Sequence, residues 1–173
     1  ILMYFKALPR MVYPWKDNEG QFKGAVVPDI FRRVQLDKFF KNRQLLLSEW
    51  VEDGAMPEHV AHKYYGSVEY HWIVLLSNNI TDVRKEWPLS HRSLVDYVED
   101  KYGTGNASAV HHYIDNTTKL IVDWDQAKLN AGTISGVSNY DYETEVNDTK
   151  RQITLLNKKF LKDIVTQYKK LVK

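Results

Sequence analysis

The stretch from Leu45 to Gly66 constrains the fold of this chain most, because it joins a strand and a helix through clear start and stop signals. Leu45 to Val51 is apolar and β-prone, which predicts a strand. The turn Glu52-Asp53-Gly54 follows, and Pro57 stands where the first turn of a helix accepts proline. Gly66 is a typical stop for that helix. The sequence therefore predicts a compact unit that begins with a strand and a helix.

Two further helices are predicted after this unit begins. Val68 to Ser77 has helical spacing, and Asn78-Asn79 ends it because asparagine tolerates the left-handed backbone conformation. Ser90 is a good N-cap for a third helix that ends at Gly103. We expect the second helix to bury Tyr70, Ile73, Val74 and Trp72, and the third helix to carry Leu94, Val95 and Val98 on one face.

The N-terminal residues predict an arm and a short helix rather than a domain. Residues 1–27 mix aromatic and polar side chains, and Asp17 to Gly20 is typical of a turn. From Pro28 the pattern becomes helical over two to three turns. The apolar face of this helix is predicted to contain Ile30, Phe31, Val34 and Phe39 or Phe40.

The C-terminal part predicts two hairpins and a final helix. Ala109–Ile114 and Lys119–Trp124 are expected to form one hairpin, and Ala131–Ser138 is loop-like. Apolar and acidic residues alternate over Tyr140–Val146, which predicts a strand that pairs with Gln152–Leu156. Asn157 can cap a final helix. The apolar stripe of that helix consists of Phe160, Leu161, Ile164, Val165, Tyr168, Leu171 and Val172.

These elements predict an α+β fold in three segments. Residues 1–43 form the arm and short helix, and residues 44–103 form the central unit with its third helix. Residues 104–173 hold the β-hairpins and a basic amphipathic helix, after a small-residue linker from Gly103 to Ser108.

Charge is distributed unevenly along the chain, although the net charge is only +2. From Lys150 onward eight basic residues face one acid, a net of +7, and the preceding residues carry −5. This end is either a solvated helix face or a tail that docks on an acidic surface. It carries no recognisable nucleic-acid motif. The lysines that we assign to docking are Lys158, Lys159, Lys162 and Lys169.

Several classes of protein are excluded or disfavoured by composition. The chain has no cysteine, which excludes disulfides, thiolate metal sites and a cysteine nucleophile. The longest apolar run, Trp72 to Leu76, is far shorter than the ~20 residues that cross a bilayer. The first six residues lack the basic-then-apolar order of a signal peptide.

No residue pattern predicts a catalytic or metal centre, and we expect no cofactor. His59 and His62 lie one helical turn apart, but zinc needs three or four ligands. His111 and His112 are expected on opposite faces of a strand. The carboxylates that flank Trp124 are interpreted as a solvent-facing strand edge with the indole turned inward. A small hydrolase therefore remains the weakest of three functional hypotheses.

Aromatic residues suggest protein contacts, since they are enriched at interfaces. The chain has eleven Tyr, six Phe and five Trp. Tyr70 and Trp72 are two positions apart and diverge by about 200° on a helix, so one of them can anchor a neighbouring protein. Trp87 is a third candidate anchor.

Part of the central unit resembles a LysM module, a short strand-helix-helix-strand unit. The resemblance lies in Val51–Gly66, with its glycine turn, Val60-Ala61 and Tyr64, and continues through Tyr70, Trp72, Leu75 and Asn78-Asn79-Ile80. It implies that residues 44–103 are LysM-like.

A wider set of segments resembles the LysM-containing baseplate wedge subunit of contractile-tailed bacteriophages. These segments are Pro28–Arg33, Pro57–Gly66, Tyr70–Trp72, Asn78–Ile80, Trp87–Leu89, Lys101–Gly103 and Asn139–Ile153. The resemblance implies a structural protein, not an enzyme, that clamps neighbouring wedge proteins into a six-fold baseplate. Its partners would be other wedge proteins and further copies of itself, in a virion assembled in the host cytoplasm, with no nucleic acid and no membrane insertion.

The LysM resemblance also implies an alternative function, which is peptidoglycan binding in a shallow groove. The groove residues would be Asp53, Gly54, Ala55, Asn79 and Ile80. The sequence departs from that pattern at Ala55, where a hydroxyl residue is usual. Val83–Glu86 also replaces the Pro-Gly turn before the last strand.

Overall fold

The computed structural model describes residues 8–30 and 46–172, and confirms the α+β class. The strands of these residues are β1 (Arg10–Lys16), β2 (Phe22–Pro28), β3 (Leu46–Trp50), β4 (Val110–Asp115), β5 (Ile121–Val122), β6 (Ile134–Ser138) and β7 (Gln152–Leu156). The helices are α1 (Pro57–Tyr65), α2 (His71–Ser77), α3 (Val83–Glu86), α4 (His91–Tyr102), α5 (Gln126–Asn130), α6 (Asn139–Thr149) and α7 (Leu161–Val172), with 3₁₀ turns at Val68–Tyr70 and Lys158–Phe160. The helix predicted from Pro28 onward lies almost entirely outside the described residues.

The chain divides into two compact units. Unit 1 consists of Ile1–Glu49, Met56–Thr81 and Thr154–Lys173, and unit 2 consists of Trp50–Ala55 and Asp82–Ile153. Both segments of unit 2 therefore lie between segments of unit 1 in the sequence. Across the residues that the structure describes, no helix combines the length and the apolar character that crossing a membrane requires.

The helices α1 and α2 of unit 1 begin and end near the residues that the sequence predicts. Pro57 begins α1, and Gly66 ends it with φ of 81°, a left-handed conformation that glycine adopts without a steric penalty. Asn79 is also left-handed, with φ of 56°, directly after α2. The predictions for both helices are confirmed.

Helix α7 supplies much of the core of unit 1. Ile164, Tyr168 and Val172 follow one another at helical spacing and are buried, as the apolar stripe predicts. The ring of Tyr168 lies 4.6 Å from that of Trp72, measured between centroids. Leu8, Ile73 and Leu156 complete this cluster. Burial of large side chains such as these contributes about 1.5–3 kcal/mol each, so α7 is an integral part of unit 1 rather than a tail.

Strand β3 pairs with β7, not with a strand close to it in the sequence. The predicted pairing of Gln152–Leu156 with Tyr140–Val146 is wrong. Asn78 fastens β7 to the end of α2, because its side chain donates to the carbonyl of Thr154 and accepts from the Thr154 amide, at 2.9 and 2.7 Å. Strand, helix, helix and strand thus occur in this order, with the last strand far along the chain.

Unit 2 differs most from the sequence prediction. Tyr140–Val146 lies in α6, a helix, and the loop predicted at Ala131–Ser138 contains β6. Strand β6 pairs antiparallel with β4, which leaves β4 in the centre of a three-stranded sheet with β5. The β4–β5 hairpin itself is confirmed. Ser90 caps α4 as predicted, since its hydroxyl accepts from the amide of Ser93.

Candidate interaction surfaces

Strands β1 and β2 form a regular antiparallel hairpin, which we call the N-terminal hairpin. Its turn is stabilised by Asp17, whose carboxylate accepts from the amides of Glu19 and Gln21 and pairs with Lys23 at 2.8 Å. The turn at Asp17–Gly20 is thereby confirmed. The Lys23 ammonium and these amides lower the pKa of the Asp17 carboxyl, so the turn keeps its charge at neutral pH.

Both faces of the N-terminal hairpin are apolar and exposed. Residues directly opposite in the register share a face, which places Val12 and Phe22 on one side and Tyr13 and Trp15 on the other. Phe22 exposes 75% of its surface and Trp15 exposes 45%. The other exposed large apolar side chains of the hairpin are Val12, Tyr13 and Val26.

A two-stranded hairpin with this exposure is an unusual feature in water. An isolated hairpin is marginally stable at best, and adjoining exposed apolar side chains mark interaction sites. These residues were not predicted from the sequence as an interaction surface. The signal was present in Met11-Val12-Tyr13-Pro14-Trp15, where apolar residues do not alternate with polar ones, so that neither face of a strand would be polar.

The C-terminal helix presents a basic surface. The predicted docking residues Lys158, Lys159, Lys162 and Lys169 are all exposed, and so is Lys170. Among the described residues, none of these five ammonium groups pairs with a carboxylate. Lys158 and Lys159 lie in the 3₁₀ turn before α7, and Lys162, Lys169 and Lys170 lie on α7, whose buried stripe contains Ile164, Tyr168 and Val172.

A second group of exposed apolar side chains lies in unit 2. Leu120 and Ile121 are exposed at the β5 end of the β4–β5 hairpin, and Trp124 exposes 59% of its surface. The expectation that Trp124 turns inward is wrong. Asp125 is not on a strand either, because its carboxylate caps α5 by accepting from the amides of Ala127 and Lys128.

The three predicted aromatic anchors differ in how deeply they are buried. Trp72 exposes 5% and Trp87 exposes 3% of its surface. The indole N–H of Trp87 donates to the carbonyl of Ala55 at 2.8 Å. Tyr70 is half-buried with its ring 6.1 Å from that of Tyr65. In this conformation the two tryptophans contribute to packing, and Tyr70 alone of the three keeps substantial exposure.

The residues that correspond to a LysM groove lie in two separate loops. In the first, Asp53 accepts from Arg151 at 2.9 Å and from the amide of His91 at 3.0 Å. The Arg151 guanidinium is the main reason that the pKa of the Asp53 carboxyl is lowered. Gly54 is left-handed with φ of 69°. In the second, the Ile80 amide, next to Asn79, donates to the carbonyl of Leu75 at 2.9 Å.

Helix α6 buries polar side chains at helical spacing, namely Asn139, Glu143 and Asn147. Asn147 accepts from the amide of Leu89 at 2.7 Å and donates to the carbonyl of the same residue at 3.0 Å. The Asn139 amide group donates to the carbonyl of Asn106 at 2.9 Å. These side chains connect α6 to the loops before and after α4.

Glu143 is a buried carboxylate with two donors on α4. Lys101 and Tyr102 donate to the same Glu143 oxygen at 2.6 and 2.7 Å. Burial by itself would raise the pKa of Glu143, but these two donors outweigh it and lower that pKa below its usual value. The contact correspondingly raises the pKa of Lys101. The ion pair therefore keeps Glu143 charged inside unit 2, where the role of this carboxylate is structural.

The two adjacent histidines of β4 point to the same side, contrary to prediction. Their Nδ1 atoms lie 2.9 Å apart, and the ring of His111 stacks on that of Tyr142 at 4.0 Å. A register shift between Val110 and His112 breaks the alternation of the strand. Within residues 8–30 and 46–172, no three His, Cys, Asp or Glu side chains lie close enough together to hold a metal.

An open cavity of about 410 Å³ lies in unit 2 beside α4 and α6. Its apolar lining comes from Leu89, Leu94 and Val146, and both signs of charge surround it. The charged lining residues are Arg84, Lys85, Lys150, Asp96, Asp100 and Glu143. Glu143 already has its two donors, so the cavity presents mixed charge rather than one reactive group.

Comparison with known proteins identifies one similarity. A family model described as Base plate wedge protein 53 matches residues 21–130, which is more than half of the chain. The match includes β2, the helices α1 to α4 and the β4–β5 hairpin. A search of curated proteins found no match.

Proposed function

This chain belongs to the family of base plate wedge proteins 53, and from that premise we propose that it joins neighbouring wedge subunits during baseplate assembly. Membership of the family makes it a structural protein of the phage tail baseplate that associates with other baseplate proteins. The proposal that the chain joins neighbouring subunits goes further than membership of the family. It requires surfaces on which two partners can bind.

The N-terminal hairpin is the observation that supports this proposal most. It exposes large apolar side chains on both faces, and such surfaces become stable when another protein covers them. Aromatic side chains like Trp15 and Tyr13 are typical of binding hot spots. The hairpin is therefore the first surface that we assign to a partner.

Two further surfaces support contact with more than one neighbour. The exposed apolar group of Leu120, Ile121 and Trp124 belongs to unit 2, whereas the hairpin belongs to unit 1. The lysines of the C-terminal helix form the third surface, which suits an acidic partner. We propose that these surfaces bind different wedge proteins in a six-fold baseplate, with further copies of the chain among the candidates.

The experiment that tests the proposal is reconstitution of the wedge from purified baseplate proteins. The triple variant Val12→Thr, Phe22→Thr, Val26→Thr removes one apolar face of the hairpin and places β-branched threonine, which favours strands, at all three positions. We expect its affinity for the wedge to fall by about a hundredfold, because truncated hot spots cost 2 kcal/mol or more.

The matched control replaces three exposed apolar side chains of unit 1 that lie apart from the hairpin. These are Leu47, Met56 and Val68, which are similarly apolar and are 42–48% exposed. The control variant should assemble normally. Equal assembly of both triple variants, at the same affinity as the unaltered chain, would remove the support that the hairpin gives to the proposal.

Charge reversal tests the basic surface separately. Replacing Lys158, Lys159, Lys162 and Lys169 by Glu should weaken assembly, and the loss should shrink with added salt because exposed charges are screened. The control converts the same lysines to Arg, which keeps the charge. Assembly that is unchanged in the Glu series would exclude a docking role for these lysines.

A LysM-type arrangement and peptidoglycan binding remain an alternative proposal. The order β3, α1, α2, β7 is the observation that favours it, since a LysM module has this order. The loop at Asp53–Ala55 argues against sugar binding, because its carboxylate and the Ala55 carbonyl already have partners within the chain. Incubation with purified peptidoglycan separates the alternatives, since only the second predicts retention that Asp53→Ala or Asn79→Ala abolishes.

A further inference from the structure

The two outer edges of the N-terminal hairpin are not equivalent. The Asp17 amide donates to the carbonyl of Gln21 at 3.0 Å, and the Asp29 amide donates to that of Pro9 at 2.8 Å. In an antiparallel pair, hydrogen-bonded pairs alternate with non-hydrogen-bonded pairs. With the observed register, the pairs at Met11, Tyr13 and Trp15 are therefore the bonded ones. The backbone groups of the other residues point outward, away from the partner strand.

Pro14 interrupts the outer edge of β1. It lies opposite Gly24 in a non-bonded pair, so its ring nitrogen faces outward and carries no hydrogen. The hairpin loses no internal hydrogen bond by this, but the middle of the β1 edge cannot donate to an added strand. Proline at this place is a known means of protecting an edge.

The outer edge of β2 has no such interruption. The amides of Phe22, Gly24 and Val26 face outward at alternate positions, and the first proline, Pro28, is the last residue of the strand. Among the described residues no third strand pairs with either edge. Gly24 brings no side chain to this edge, and a Cβ atom there would lie 3.0 Å from Val12 Cγ1.

We propose that the outer edge of β2 binds an edge strand of another baseplate protein, which extends the hairpin into a larger sheet. This inference rests on the proposed function and adds the mode of contact. Three outward amides on alternate residues match the spacing of a partner strand, which is the geometry of strand addition. The apolar faces then pack on the side chains next to that strand, which explains why both faces are apolar.

The partner that we propose for this edge is another baseplate protein, because membership of the family carries association with other baseplate proteins. The partner strand should bring apolar or β-branched side chains opposite Phe22 and Val26, which flank the glycine. Pairing of two β2 edges in a symmetric dimer is the competing outcome. It would appear as dimers of the isolated chain in analytical ultracentrifugation, and it would overturn the proposed partner.

A matched pair of proline substitutions tests the proposal on the reconstituted wedge. Val12 and Val26 lie directly opposite each other, share one face and expose 63% and 61% of their surfaces. Both amides face outward, so Val12→Pro and Val26→Pro remove equivalent groups and leave the internal ladder intact, as Pro14 already does. Both substitutions also remove a valine side chain from the same face, so Val12→Pro reports that loss alone, and we expect Val26→Pro to weaken wedge binding about tenfold or more beyond it.

Hydrogen exchange supplies an independent measurement on the unaltered chain. In the wedge complex the amides of Phe22, Gly24 and Val26 should become protected, and those of Arg10, Val12 and Lys16 should not. An amide-to-ester replacement at Val26 removes the same donor without restricting the backbone, so it tests the inference even if proline distorts the hairpin.

The outcomes separate this inference from the proposed function. If Val12→Pro and Val26→Pro weaken binding equally, or the ester has no effect, strand addition is overturned. If the triple face variant weakens binding while the two prolines have equal effects and the ester has none, the hairpin binds through its faces and the joining function stands without strand addition. If the hairpin variants and the lysine variants all bind like the unaltered chain, the joining function itself fails.

Discussion

The N-terminal hairpin and helix α6 depart from the usual arrangement of side chains in opposite ways. The hairpin exposes its apolar residues, with Phe22 the most exposed, whereas α6 buries a polar stripe that includes Glu143 and Asn147. Both have a cost in water, since exposed apolar surface is unfavourable and a buried polar group requires partners. The two regions differ in where the groups that offset this cost are found.

The polar side chains that α6 buries find their hydrogen-bond partners inside unit 2. Asn147 satisfies both backbone groups of Leu89, and Lys101 and Tyr102 satisfy Glu143. The hairpin finds no equivalent among the described residues, because neither of its faces is covered. We infer that α6 serves the fold of unit 2, and that the hairpin acquires its stability in the assembled baseplate.

The largest expected difference between the two regions is in hydrogen exchange of the isolated chain. Amides of α6 should exchange at least about a thousandfold more slowly than in an unfolded chain, because they open only with their unit. The internal amides of the hairpin, such as those of Met11 and Tyr13, should show little protection, since a bare hairpin is marginal. Equal protection of both regions would contradict the comparison, as it would show that the hairpin is stable by itself.

Substitution of Asn147 tests the compensation in α6. Asn147→Ala leaves the amide of Leu89 without its acceptor, so we expect the free energy of unfolding to fall by about 1–3 kcal/mol. Urea denaturation of the isolated chain measures this change. Glu145→Ala is the control on the same helix, since Glu145 is exposed and its loss should alter stability by less than about 0.5 kcal/mol.

The pH dependence of Glu143 gives a smaller but more specific effect. At neutral pH, Glu143→Gln should lower stability by about 1 kcal/mol, a modest value because Lys101 is partly exposed and screened by solvent. The folded pKa of Glu143 is lowered, so its contribution is present above the unfolded pKa and is lost as pH falls through the folded pKa.

The free energies of unfolding of the unaltered chain and of Glu143→Gln should therefore converge in acid. Urea titrations between pH 7 and pH 3 measure the difference, with Glu145→Gln as the exposed control. A difference that grew as pH fell would contradict the charged state that we assign to Glu143.

The smallest effect is expected for the hairpin in the isolated chain. Phe22→Thr removes a side chain that is already exposed, so the free energy of unfolding should change by less than about 0.5 kcal/mol. The same variant should bind the wedge less tightly. A large loss of stability in the isolated chain would show that Phe22 packs within its own protein.

Predictions from the sequence succeeded where a few neighbouring residues determine the structure. Gly66 ends α1 and Ser90 caps α4 as predicted. Asn157 caps the 3₁₀ turn that leads into α7, one turn before the helix that it was predicted to cap. The stripe along α7 was also predicted, because helical spacing of apolar residues is a property of one segment. These features need no knowledge of the rest of the chain.

Predictions failed where a distant partner decides the outcome. Tyr140–Val146 alternates like a strand but lies in α6. The buried side chains of this helix accept hydrogen bonds from distant groups, Glu143 from Tyr102 on α4 and Asn147 from the amide of Leu89. Ile134–Ser138 has the composition of a loop, yet it pairs with β4. The strand at Gln152–Leu156 was predicted, but its partner β3 is about a hundred residues earlier in the sequence.

Among the candidate surface residues, some could be predicted from the sequence and others could not. The lysines of the C-terminal helix were found from sequence, since charge and helical spacing place them on the exposed side of an amphipathic helix. The buried state of Trp72 and Trp87 and the exposed state of Trp124 were not, because an indole is apolar in either environment. Only the surrounding elements determine which of them is covered.

The sequence by itself determined the helix ends, the hairpin turn at Asp17–Gly20 and the α+β class, since each follows from backbone preferences and local periodicity. The tertiary structure alone decided that α6 is a helix, that β7 completes a sheet with β3 and that the N-terminal hairpin exposes large apolar side chains on both faces. The physical reason is that hydrogen-bond partners and burial are supplied by segments far apart in the chain, which local preference does not specify.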